Sequence, residues 1–137
     1  MAFKQMYPQT YPDCVKQVKE ATIIVAGTII FENTGAAPAT TSAVTPGNFL
    51  GLALTDEDNS LGLIGVKNVT YTPVDGVWLE ADCFGTPTAA QIGTVAEFKN
   101  ASTIDEAATA DTGEIGFAIK AINATLKKVY GYFVAIP

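Results

Sequence analysis

Two stretches of the chain alternate large and small apolar residues, and they match. Gly47-Asn48-Phe49-Leu50-Gly51-Leu52-Ala53-Leu54 is echoed by Gly113-Glu114-Ile115-Gly116-Phe117-Ala118-Ile119. Successive side chains of a strand point to opposite faces. Leu50, Leu52 and Leu54 are therefore predicted on one face of the first stretch, and Ile115, Phe117 and Ile119 on one face of the second. Gly51, Ala53, Gly116 and Ala118 take the other faces. The large side chains call for a core, and the small ones admit another backbone or layer. Each phrase is followed by a polar break and a further predicted strand, over 61–71 and 127–136. The pattern predicts two strand-turn-strand units in one all-β domain, a small β-barrel or sandwich.

Elsewhere the pattern is less regular. Residues 21–31 are β-branched and apolar, a strand signal interrupted at Gly27 by a bulge or bend. Residues 32–46 read as a surface loop rich in threonine, proline and small residues. Thr55-Asp56-Glu57-Asp58-Asn59-Ser60 reads as a solvated hairpin turn. Pro73-Val74-Asp75-Gly76 is a turn in which proline presets one dihedral and Asp-Gly supplies the permissive end. From Val77 to Cys83 the alternation is clean, with Trp78, Glu80 and Asp82 opposite Val77, Leu79, Ala81 and Cys83. One short helical turn is predicted within 85–93, a strand over 95–99, and a second loop over 101–112. The closing stretch is apolar on both faces: Tyr130, Tyr132, Val134 and Ile136 against Val129, Phe133 and Ala135. Such a strand is covered on both sides, as the centre of the fold or as a subunit interface.

The first twenty residues stand apart. Tyr7 and Tyr11 each precede a proline, which favours extended backbone. Residues 1–20 are read as an extended N-terminal arm and lead-in to a single domain over 21–137. A frayed terminus is the plain reading of such a stretch. Phe3, Tyr7 and Tyr11, three aromatics in eleven residues, favour an arm that docks on a partner, with removal of residues 1–13 sparing the fold.

Composition narrows the function. A chain of 137 residues can bury roughly 65–70% of its unfolded surface. With 48% hydrophobic and 16% charged residues, part of the apolar surface is expected against partners. No apolar run approaches the ~20 residues of a membrane span, and no signal-peptide core opens the chain. Synthesis for the cytoplasm of the cell that makes it, with no membrane partner, is the expectation. The net charge is −6, all eight basic residues are lysine, and histidine is absent. Nucleic-acid readers rely on positive fields and the guanidinium fork, so no nucleic-acid partner is expected. The commonest general base and metal ligand is missing as well.

The remaining chemistry is thin. Cys14 and Cys83 lie in no metal-binding spacing, and reduced thiols are favoured over a bridge. Counted from Asp56, the glycine of an EF-hand loop falls one place late and Lys67 replaces its closing glutamate. Glu80 and Asp82 could serve a hydrolase, but an exposed polar face is the stronger reading. No catalytic residue, cofactor or metal is predicted, and the chain reads as a structural or binding module.

Its features also resemble, over about residues 20–137, a family of bacteriophage head decoration (capsid cement) proteins. The resembling segments are Ala26-Gly27, the loop into Gly47–Leu54, Gly65-Val66, Asp75-Gly76-Val77-Trp78-Leu79, Ala89-Ala90 with Gly93-Thr94-Val95, Gly113–Ala118 and the final strand. The resemblance implies a compact β-barrel or β-tulip homotrimer on the virion surface, clamping neighbouring major capsid protein subunits. It further implies that an N-terminal arm adds a strand to a capsid loop. Phe3, Tyr7, Tyr11, Tyr130 and Tyr132 are the expected capsid and subunit contacts. The alternatives are another virion component, such as a tail-tube or fibre-base protein, and a carbohydrate-binding domain using Trp78 with Glu80 and Asp82.

Overall fold

The computed structural model of the chain describes residues 2–7, 11–40 and 44–137. Its strands, in chain order, begin with β1 (Phe3–Gln5), β2 (Cys14–Gln17), β3 (Thr22–Ile24), β4 (Ile29–Glu32), β5 (Ala36–Pro38) and β6 (Phe49–Ala53). They continue with β7 (Glu57–Asn59), β8 (Asn68–Thr72), β9 (Leu79–Asp82), β10 (Val95–Asn100), β11 (Thr103–Thr109), β12 (Ile115–Asn123) and β13 (Lys128–Ala135). One 3-10 turn, Ala89–Gln91, falls where a helical turn is predicted, with the Gln91 side chain accepting the Thr88 N–H. The fold is all-β, as the sequence predicts.

The strands form three antiparallel sheets. One has six strands in the order β1-β9-β13-β12-β10-β11, one has five in the order β2-β8-β6-β4-β5, and β3 pairs with β7 alone. A single parallel bridge curls each large sheet back on itself: Cys83 with Ile104 in the first, Val18 with Ala36 in the second. One bridge is too little pairing to make a continuous cylinder of either.

Two apolar clusters fill the interior. The larger lies between the big sheets and centres on Phe133. Its ring meets those of Phe117 (5.2 Å), Phe49 and Phe98 (5.3 Å each) and Phe3 (5.7 Å). Contacts at these separations add to the value of burying the rings. The smaller cluster, Val18, Ile24, Ile30, Ala36, Ala53 and Val69, sits inside the five-stranded sheet.

The repeated phrase serves the two clusters differently. In β12, Ile115, Phe117 and Ile119 all enter the larger cluster. Gly116, on the opposite face, lets β10 approach: a Cβ there would lie 2.5 Å from Val95 Cγ1 and 2.7 Å from Ala110 Cβ. In β6 the alternation is broken. Gly51 opposes Ile30 but Phe49 opposes Phe31, so Leu50 is an extra residue in the ladder. Gly51 has φ +152°, and a Cβ on it would fall 2.2 Å from the Thr72 carbonyl oxygen. Leu52 therefore faces the larger cluster with Phe49, while Leu50 turns with Ala53 to the smaller. The prediction of a shared face for Leu50, Leu52 and Leu54 fails at this bulge.

Several boundaries differ from expectation. The arm over residues 1–20 contains two strands of the body: β1 pairs with β9 and β2 with β8. The run over 21–31 divides at Gly27 into β3 and β4, which join different sheets. The loops predicted over 32–46 and 101–112 hold β5 and β11, and the turn over 55–60 holds β7. These strands are held by their partners, not by an alternation of their own. Conversely, only residues 68–71 of the strand predicted over 61–71 are paired, and the strand runs on to Thr72. The closing strand β13 lies inside its sheet, between β9 and β12.

Candidate interaction surfaces

The five aromatic side chains expected to make contacts do not form one surface. Phe3 is fully buried in the larger cluster. It is a core residue, and its side chain is not available to a partner. Its placement follows from strand pairing: Phe3 opposes Ala81 on the inner face, and its N–H donates to the Gly27 carbonyl at 3.0 Å. Met6 donates to the Trp78 carbonyl, so Tyr7 leaves the sheet beside Trp78 and is 61% exposed. Tyr11 is exposed, with its hydroxyl donating to the Asp75 carbonyl at 3.0 Å.

Tyr130 and Tyr132 lie half-buried on the outer face of the six-stranded sheet. Trp78 packs edge-on against Tyr132 with ring centroids 5.5 Å apart, and the Lys120 ammonium sits 5.6 Å from the same ring. Tyr130 opposes Glu80. Lys128 is hydrogen-bonded to Asp82 and lies 3.8 Å from Glu80. The Asp82 hydrogen bond, with both negative charges nearby, raises the Lys128 pKa. Trp78, Glu80, Asp82, Tyr130 and Tyr132 thus share one face, with both carboxylates engaged by a lysine.

The most exposed apolar feature is the segment Leu61-Gly62-Leu63-Ile64-Gly65-Val66, between β7 and β8. Leu61 is 102% exposed, Leu63 69%, Val66 63% and Ile64 44%. Ile23 on β3, which pairs with β7, and Val25 just after it are also exposed. The loop is nevertheless well anchored. Asn59, itself 2% exposed, donates from Nδ2 to the carbonyls of Lys19 (3.0 Å) and Leu63 (3.1 Å). Ala21 N–H donates to the Gly62 carbonyl at 3.1 Å, and Val18 N–H to that of Lys67 at 2.9 Å. Gly62 is small because Asn59 fills the space beside it: a Cβ there would meet Asn59 Oδ1 at 2.0 Å. The apolar side chains are held outward on a fixed backbone, a pre-organised surface. The strand predicted over 61–71 would include these residues. The pair Gly62 and Gly65 and the absence of period-two alternation were the available signs of a loop.

Acidic groups gather at another corner. Carboxylate oxygens of Glu97, Asp111 and Glu114 lie within 4.8 Å of one another. Burial, then repulsion from Glu114, Asp111 and Asp105, raises the Glu97 pKa. A carboxyl whose folded pKa exceeds its unfolded value destabilises the fold above the folded pKa, and the cost fades as pH falls below the unfolded one. Glu97→Gln should therefore stabilise the protein at pH 7 by a few tenths of a kcal/mol, discounted for solvent screening. The gain should shrink with added salt and vanish near pH 4, as read by thermal melts of both proteins.

Neither cysteine is disulfide-bonded. Burial, with Glu106 and Asp82 nearby, pushes the Cys83 thiol up to about 12, so it stays protonated and unreactive at neutral pH. Comparison of the chain with protein-family models, curated proteins and solved structures finds no match.

Proposed function

We propose that this chain is a structural virion protein that binds the outside of a phage capsid and clamps neighbouring major capsid subunits. The observation that carries a binding role is the anchored loop with Leu61, Leu63, Ile64 and Val66 in solvent. Together with Ile23 and Val25 it leaves the equivalent of about four aliphatic side chains exposed. Covering them is worth roughly 6–12 kcal/mol gross at ~1.5–3 kcal/mol each. Association alone costs about 4–15 kcal/mol, so one such contact is weak. Several copies on a repeating shell convert weak contacts into firm attachment.

The assignment to a capsid rests on the resemblance of the glycine-alanine phrases. Exposed Tyr7 and Tyr11 follow β1, an edge strand of the six-stranded sheet. Edge strands accept additional strands, and aromatic residues anchor such contacts. In this reading the tyrosines and that edge face the shell, and the acidic charge keeps free copies apart before docking. The test is co-sedimentation of the purified protein with expanded, undecorated heads. Wild type should pellet with the heads, and a Tyr7→Ala, Tyr11→Ala double variant should pellet at least tenfold less at matched concentration, a loss of ~1.4 kcal/mol. Wild-type protein that stays in the supernatant would remove the capsid from the reading.

A further inference from the structure

The turn between β8 and β9 carries a reactive pair of residues. Asp75-Gly76 is the one place in the chain where glycine follows an aspartate or an asparagine. An aspartyl carboxyl is open to attack by the next residue's amide nitrogen when that residue is small and unrestrained, and glycine has no Cβ to stand in the way. Both residues are exposed. Gly76 has φ +68°, and even a Cβ there would meet nothing within 4 Å. Among the described residues no hydrogen bond holds the Gly76 N–H, and no hydrogen bond or ion pair holds the Asp75 carboxylate. The flanks, by contrast, are fixed. Val74 and Val77 are buried, Val77 N–H donates to the Val74 carbonyl at 3.1 Å, and the Asp75 backbone bridges to Phe133. The Asp75 carbonyl also accepts the Tyr11 hydroxyl at 3.0 Å. Asn59-Ser60 shows the protected case: its carboxamide is buried and donates to two carbonyls, and Asp58 Oδ1 accepts the Ser60 N–H at 3.0 Å.

We propose that Asp75 is a site of spontaneous isomerisation in the folded protein. The Gly76 nitrogen forms a bond to Asp75 Cγ. A carboxylate oxygen leaves as water, taking the amide proton and one from solvent, and a cyclic imide closes. Water then adds to either imide carbonyl. Addition at Cγ restores aspartate. Addition at the former backbone carbonyl leaves an isoaspartyl link, in which the chain runs through Cγ. Nothing is oxidised or reduced, and the water released in the first step is taken up in the second. The net charge is unchanged. The backbone grows by a methylene between two buried valines, so the added length bulges toward solvent. The carbonyl that accepts the Tyr11 hydroxyl becomes a carboxylate off the main chain, which displaces the tie between the turn and the segment after β1. The change needs no capsid or other partner.

The test is prolonged incubation of the purified chain at neutral pH and physiological temperature, folded in one sample and unfolded in guanidinium in another, followed by trypsin. Cleavage after Lys67 and Lys99 isolates residues 68–99. From the folded sample this peptide should split into two forms of equal mass, one with isoaspartate at position 75 located by electron-transfer fragmentation. A minor imide form should be lighter by one water. Asn59, in the peptide over 20–67, should keep its carboxamide. The folded rate at Asp75 should lie within about tenfold of the unfolded one, because no opening step above ~1.4 kcal/mol has to precede the attack. Asp75→Asn should enter the same imide by losing ammonia and convert faster than wild type, with circular dichroism checking that both stay folded. A folded wild type without isoaspartate at 75, a folded rate more than about tenfold below the unfolded one, or a folded Asp75→Asn variant that keeps its mass would each overturn the proposal. Failure of head co-sedimentation would leave this result untouched.

Discussion

Phe3→Ala should destabilise the protein by about 3–5 kcal/mol, the usual cost of truncating a buried phenylalanine. The ring is wholly buried and packs against Phe133, the ring that also contacts Phe49, Phe98 and Phe117. Truncation leaves a void among aromatic rings that cannot all shift together. For a chain of this size the thermal midpoint should fall by roughly 10 °C. Deleting residues 1–13 should cost at least as much, because it also removes β1 from the edge of β9. The expectation that such a deletion spares the fold is therefore reversed. Tyr7→Ala should lie within about 0.5 kcal/mol of wild type, since the side chain is mostly in solvent. Urea melts of the three variants separate the cases. An unchanged midpoint for Phe3→Ala would return the first strand to the role of a detachable arm.

That contrast within one short segment shows what can be read from this sequence and what cannot. Where a strand carries its own alternation, as in 77–83, the pattern assigns both the strand and its inward face; the closing stretch, apolar on both faces, is legible as a strand, but its inward face, with Val129 and Phe133, is set by the fold. Phe3 has no such context: a lone aromatic near a terminus is placed only by the strand it pairs with. The same holds for β7, whose residues Glu57-Asp58-Asn59 are polar and paired with β3. Leu50 fails for a different reason. The local pattern is sound, but one inserted residue opposite Ile30 and Phe31 reverses the face on which it lands. The contact surface is the hardest case. Leu61, Leu63 and Val66 have core composition, and the backbone that keeps them outside is held by the buried Asn59 carboxamide and by hydrogen bonds from Val18 and Ala21, far away in the chain. Of the five aromatics expected at contacts, Tyr7 and Tyr11 are exposed, Tyr130 and Tyr132 share the outer face with Trp78, and Phe3 lies inside.

The sheet edges differ in how they are covered. Strand β11 closes the far edge of the six-stranded sheet and turns Glu106 inward, 5% exposed, where it accepts the Gly85 N–H. An inward-pointing charge on an edge strand discourages a further strand from pairing there. The parallel bridge of Ile104 to Cys83 covers part of the same edge. The edge of β1 carries Phe3 and Gln5 on its inner face in place of such a charge, but its Phe3 N–H is already held by the Gly27 carbonyl. Both edges are thus partly covered, and an added strand at β1 would have to pair beyond Phe3.

Asn59→Asp should be the most damaging change that leaves the apolar side chains themselves untouched. The carboxamide donates to two carbonyls that tie the loop to the chain at Lys19 and Leu63. A carboxylate in its place would donate nothing and would put a buried negative charge against both oxygens. Loss of the two hydrogen bonds with an unpaired buried charge is worth about 3–5 kcal/mol. The fold would answer by raising the new aspartate's pKa above its unfolded value near ~3.9. The sign follows from linkage: the penalty is complete above the raised pKa and fades as pH falls below the unfolded one. Urea midpoints of Asn59→Asp and wild type should therefore lie far apart at pH 7 and approach each other near pH 3.5. A second readout concerns the surface. Amide exchange at Ala21, whose N–H is held by Gly62, should accelerate at neutral pH. If the two midpoints coincide at pH 7, the loop is not held by Asn59. Its side chains would then reach a partner from a mobile segment, at a higher entropic cost of association.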